Sequence, residues 1–136
     1  MQQLTINFVI FLLLGNILKI VNAAVCKQFL LMHRPSSNNV VYTCLPGKYT
    51  RIVFNDPNVA IKKIAVDNLN NRLFMIDYAN NRIVWTQLAA HENGKLMTDG
   101  QLRTAIDSFG ATAIATDPKG ALYFSGVSTY VVFFLS

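Results

Sequence analysis

Short apolar runs, each ended by a turn rich in Asn, Pro or Gly, follow one another along most of this chain. Residues 29–32 and 40–43 flank the turn 35–39 as a hairpin, and a short strand is expected over 49–54 after Leu45-Pro46-Gly47. Four strands joined by short turns are then expected at 63–67, 72–78, 82–88 and 95–98, one antiparallel unit. Asn80-Asn81 forms a tight turn in which left-handed backbone is tolerated. Residues 65–76 show no sustained helical period, so the chain reads as all-β. Only the N-terminal segment and residues 99–106 are compatible with helix.

One phrase occurs twice. Ile64-Ala65-Val66-Asp67, a turn, then Leu73-Phe74-Met75-Ile76 is echoed by Ile114-Ala115-Thr116-Asp117, a turn, then Leu122-Tyr123-Phe124-Ser125. The two aspartates stand 50 positions apart, a spacing typical of β-propeller blades and stacked arrays. Residues 99–112 are read as the link between two such units, and 130–136 as an apolar third strand with no fourth. A repeat that cannot bury its own faces needs neighbours. The expectation is therefore a partial β-propeller: about two four-stranded antiparallel blades plus an N-terminal hairpin, in a truncated chain. Its unpaired strand edges favour self-association.

The first 23 residues are read separately. A short polar start, the run Phe8-Val9-Ile10-Phe11-Leu12-Leu13-Leu14 and small residues at Val21-Asn22-Ala23 have the layout of a secretory signal peptide. The run is interrupted by Gly15-Asn16 and Lys19, short of the roughly 20 apolar residues a spanning helix needs. Residues 24–136 are then the mature, incomplete propeller-like domain, secreted and with no membrane association after cleavage. That route makes a bridge available to the two cysteines, Cys26 and Cys44, which come out nearly opposite across the hairpin.

Composition removes several functions. The net charge is +5, but Lys and Arg are scattered and Lys62-Lys63 is their longest run, so no nucleic-acid footprint is expected. Two cysteines without adjacent histidines make no zinc set. His33 and His91 belong to no nucleophile, phosphate-loop or metalloprotease motif. No cofactor, metal or catalytic residue is expected. Asp67 and Asp117 each end a strand before a turn, where a carboxylate accepts backbone N–H groups.

The pattern from Ile64 to Trp85, and more loosely Ile114 to Gly126, resembles the blade consensus of six-bladed propellers of the lipoprotein-receptor YWTD, NHL and gluconolactonase-like families. A narrower resemblance is to the insect ommochrome-binding proteins, carried by Asn70-Asn71-Arg72-Leu73-Phe74 and by residues 113–125. It implies a secreted carrier of a small aromatic, tryptophan-derived pigment, although that family is about twice as long. In such blades the turn between the second and third strands shares a face with the link to the next blade. Asp77, Tyr78, Asn80, Phe109 and Thr112 are the expected ligand contacts, with Tyr78 and Phe109 around a planar ring. The alternative is an extracellular protein-interaction propeller of the YWTD type, against which the low cysteine count weighs. A gluconolactonase-like metal-dependent hydrolase is the third reading.

Overall fold

Among the described residues the turns are fixed by polar side chains, and the turns set where the strands begin and end. In the computed structural model, residue 26, residues 28–45, 49–91 and 93–126, and the backbone of 133–135 are described. The segment read as a signal peptide lies outside them. Eleven strands are found among the described residues: β1 (Gln28–Arg34), β2 (Asn39–Leu45), β3 (Thr50–Phe54), β4 (Ile61–Asp67), β5 (Arg72–Asp77), β6 (Arg82–Ala90), β7 (Leu96–Thr98), β8 (Arg103–Ile106), β9 (Ala111–Thr116), β10 (Leu122–Gly126) and β11 (Phe133–Leu135). All pairing is antiparallel between consecutive strands, with β8 added to β6.

Three sheets result: β1-β2-β3, then β4-β5-β6 with β7 and β8, then β9-β10-β11. The first is a blade in its own right rather than an appended hairpin. Its turn passes from Arg34 through a 3-10 turn at Pro35–Ser37 to Asn38 at φ 51°. The second sheet repeats this from Asp77 through Tyr78–Asn80 to Asn81 at φ 49°. Asparagine at that left-handed position satisfies the backbone at little cost.

Within the stretch expected to be link or helix, residues 103–106 are strand. β7 pairs with residues 88–90 of β6 and β8 with 83–85, so together they form one interrupted fourth strand. Residues between them bulge away, held by Asp99, whose carboxylate accepts from Arg103 and from the Gln101 N–H and is pulled down to about 2. Arg103 then lies 4.7 Å over the Trp85 ring, with Arg72 at 5.5 Å. The expected apolar third strand is found at β11, which pairs with β10.

Because the middle sheet is covered on both sides, the centre of β5, Leu73 to Ile76, is apolar and buried without alternation. Leu73, Met75, Val84 and Leu88 pack with Val40, Tyr42 and Val53 of the first blade. Phe74, Ile76 and Ile83 pack with Leu122 and Phe124 of the third. The first strands β4 and β9 run side by side, as inner strands around a propeller axis.

The junction between the second and third blades is tight at Gly120. It sits at φ +83°, and a Cβ there would lie 2.6 Å from Asn70 Nδ2 and 3.1 Å from Asp67 Oδ1. Its carbonyl accepts from Arg72 at 3.2 Å. Gly120→Ala is expected to cost about 2 kcal/mol through left-handed strain and displacement of Asn70. A thermal melt lowered by roughly 10 °C is the measurement; an unchanged melt would refute the close approach.

Candidate functional site

A meander of antiparallel strands places alternate turns at opposite ends, so each blade contributes to two rims. One rim collects the turns between second and third strands and the links between blades. Hydrogen bonds hold these pieces together. Asn38 donates from Nδ2 to the Val59 carbonyl at 2.7 Å and accepts from the Ile61 N–H at 2.9 Å. Asn80 donates to the Asn58 carbonyl at 3.2 Å, and the Phe109 N–H donates to the Asn81 carbonyl at 2.7 Å. The expected sharing of one face by the 78–81 turn and the following link is thus realised.

The side chains expected to meet a ligand take different parts. Asp77 is fully buried. Its Oδ1 accepts the Ala60 N–H at 3.0 Å, and its Oδ2 accepts Asn80 Nδ2 and Arg82 Nε, each at 2.8 Å. Burial alone would push this carboxyl up; Asn80, Arg82 and the Ala60 amide outweigh it and hold it below the usual carboxylate range. It is a buried keystone of the turn. Asn80 shares its amide between Asp77 and the Asn58 carbonyl. The Phe109 ring lies edge-on to Phe124 at 5.4 Å and packs on the core between the blades. Thr112 donates to the Ser125 carbonyl. Of the five, Asn80 and Tyr78 are exposed, and Tyr78, at 60%, is the exposed aromatic.

The structure also explains what the residue-by-residue reading missed. Asp67-Asn68-Leu69-Asn70-Asn71-Arg72 and Asp77-Tyr78-Ala79-Asn80-Asn81-Arg82 are the same phrase, Asp-x-x-Asn-Asn-Arg, at the two ends of β5. Asp67, also fully buried, accepts from Asn70 Nδ2 at 2.9 Å and from Arg72 Nε at 2.8 Å, as Asp77 does from Asn80 and Arg82. Asn71 repeats the left-handed conformation at φ 54°. In the first blade the polarity is reversed: Arg34 Nε donates to Asn39 Oδ1 at 3.1 Å. Asp117 fixes its shorter turn by accepting from the Lys119 and Ala121 N–H groups, in the turn role expected of it.

In the turns and links of this rim Pro35, Ser36, Ser37, Asn55, Pro57 and Asn58 are exposed, and charged residues of both signs lie among or beside them: Arg34, Lys62 and Asp107 exposed, Asp56 and Arg82 half-buried. The opposite rim holds a recess of about 670 Å³ lined by Phe29, Leu30, Leu45, Val66, Asn71 and Leu96, among others. Among the described residues no group of three His, Cys, Asp or Glu side chains is placed to hold a metal ion. Cys26 and Cys44 are bridged, with Cα atoms 5.5 Å apart. No helix among the described residues is long and apolar enough to cross a membrane.

No protein-family model matches the chain, and no curated protein sequence matches it. The resemblance to ommochrome-binding proteins therefore gains no support. Among solved structures, the crystal structure of a nidogen/laminin complex contains a similar chain, with a TM-score of 0.59 and 20% identity. The match covers 81% of this chain and 40% of that one, so this chain spans well under half of its structural neighbour. At that identity the likeness is one of fold, and the fold is all-β: a partial β-propeller of antiparallel blades.

Proposed function

We propose that this chain is a secreted, non-enzymatic protein-interaction module of the propeller type, which meets its partner through the rim carrying Tyr78. The observation that carries this reading is the exposed Tyr78 ring on a turn whose backbone is locked from below by Asp77, Asn80 and Arg82. A large, preorganised aromatic on a polar surface suits a protein partner, since tyrosine gives contact area at low entropic cost. The structural neighbour, taken from a nidogen/laminin complex, supports the same reading. A small aromatic ligand is supported less well, because Asp77 has spent both oxygens and Phe109 packs against Phe124.

The test is binding of the secreted protein to immobilised, purified matrix proteins, beginning with laminin. Saturable binding is expected, weakened about tenfold or more by Tyr78→Ala. Leu69→Ala, on the opposite rim, is expected to leave it unchanged. Absence of saturable binding, or equal binding by Tyr78→Ala, would overturn the proposal. Stoichiometric uptake of a tryptophan-derived pigment, read by visible absorbance, would favour the carrier instead.

A further inference from the structure

The inner strand of the second blade breaks its register at two lysines. β4 pairs Ile61 with Asp77 and Ile64 with Met75, so Lys62 and Lys63 together stand opposite Ile76. A bulge of this kind re-aims side chains, and both lysines are exposed. The third blade breaks register at the matching place, where β9 pairs Ala111 with Gly126 and Ala113 with Ser125. The spacing of the repeated phrase sets Thr112 and Ala113 there in place of Lys62 and Lys63. The bulge therefore belongs to the fold, whereas the two cations are particular to the second blade.

They stand on the rim that carries Tyr78. The Tyr78 N–H donates to the Ala60 carbonyl at 3.0 Å, just ahead of the lysines. From the first blade, Asn38 accepts the Ile61 N–H at 2.9 Å, and Arg34, exposed at the end of β1, donates to Asn39. His33 is near as well: burial and then the charge of Lys63 hold its imidazole below the usual range. Arg34, Lys62 and Lys63 thus gather from two blades at the start of an inner strand. Among the described residues, ion pairs join Arg72 to Asp67, Arg82 to Asp77 and Arg103 to Asp99, and the gathered cations enter none of them. Asp77, opposite Ile61, is spent on Ala60, Asn80 and Arg82. Asp56 and Asp107 accept N–H groups within their own links.

We propose that Arg34, Lys62 and Lys63 receive an acidic segment of the protein partner, its carboxylates on the cations and its neighbouring side chains on Tyr78. This deepens the rim proposal and rests on it for the location of the interface. Carboxylates suit the cluster because it is compact, three cations around one strand end rather than the extended stripe that a long polyanion needs. Exposed charge pairs are screened by salt, so salt dependence is the signature of such docking.

Binding of a fluorescent hexaglutamate peptide to the full secreted chain is the test, with hexaglutamine as the uncharged control. At low ionic strength hexaglutamate alone is expected to bind saturably, and added salt should abolish it. Lys62→Thr/Lys63→Ala, the pair found in the third blade, is expected to weaken binding about tenfold or more with β circular dichroism retained. Lys119→Ala, on the opposite rim, should leave it unchanged. Arg34→Gln carries the same test should the double variant fail to fold. Equal binding by a folded variant, equal loss with Lys119→Ala, or equal binding of hexaglutamine would overturn the proposal. So would a heparin-derived hexasaccharide that binds more tightly through the same lysines, since the site would then select sulfate. These readouts do not involve laminin, so this inference and the rim proposal fail separately.

Discussion

Asp77→Ala is expected to leave the chain largely unfolded at neutral pH. The substitution removes the acceptor for the Ala60 N–H, the Asn80 amide and the Arg82 guanidinium at one stroke. Arg82 would keep a half-buried charge with its partner gone. Breaking such a pair on one side costs about 3–5 kcal/mol, because the surviving charge stays desolvated and uncompensated. Total stability for a domain of this size is only about 5–15 kcal/mol, so one change consumes a large part of it. Urea titration followed by circular dichroism measures the loss. Asp56→Ala, at a turn carboxylate that accepts only the neighbouring Asn58 N–H, is the control and should move the midpoint little.

Acid produces a graded version of the same failure. Burial raises the carboxyls of Asp67 and Asp77, but their amide and guanidinium partners outweigh it, so both titrate below the unfolded value. A depressed carboxylate contributes stability that is complete above the unfolded value of about 3.9 and is lost as pH falls through the folded one. The contribution of these two carboxylates should therefore be flat from neutral pH to about pH 4 and fall steeply below it, on top of a separate loss below about pH 6.5 from His33, which burial and Lys63 hold below the usual imidazole range. A larger decline of the midpoint between about pH 7 and pH 5 than below about pH 4 would show that these carboxylates are not the controlling groups.

Most of the fold was legible in the residues, and most of the site was not, for one reason. Strand and turn positions depend on local chemistry: Asn-Asn at tight turns, apolar runs between them, and a carboxylate where β4, β5 and β9 give way to turns. The strands β4, β5 and β6 and the cysteine bridge follow from these signals. What local chemistry does not specify is which atoms a side chain meets across a blade junction. Asp77 looked available because it stands in the turn at the expected ligand face, whereas its oxygens turn inward to Ala60 and Arg82. The doubled Asp-x-x-Asn-Asn-Arg phrase was the available signal, since a turn role for Asp67 implies the same for Asp77. The first blade was concealed differently. Arg34 and Asn39 exchange the polarity of that motif, so the equivalence appears only in the backbone, where Asn38 matches Asn81. β8 escaped because a bulge at Asp99 separates it from β7 and hides one strand as two fragments.

Opening the Cys26–Cys44 bridge is the second large effect expected. The two residues are 18 positions apart, and freeing a loop of that length costs about 3 kcal/mol in the chain-entropy view. The position of the bridge adds to this. β1 has β2 as its one hydrogen-bonded neighbour in the sheet, and the cross-link ties its leading end to the far end of β2. Without it, β1 can peel away and take with it Phe29, whose ring lies 5.5 Å from Tyr42, and Leu31, both packed over the core shared with the second blade. Reduction is therefore expected to lower the melting temperature by roughly 15 °C, and a Cys26→Ser/Cys44→Ser variant should reproduce this without reductant. Hydrogen exchange should locate the loss, with amides of β1 becoming labile while those of β5, buried between two blades, stay protected. Equal loss of protection in β1 and β5 would instead mean that the first blade and the rest of the stack unfold as one unit.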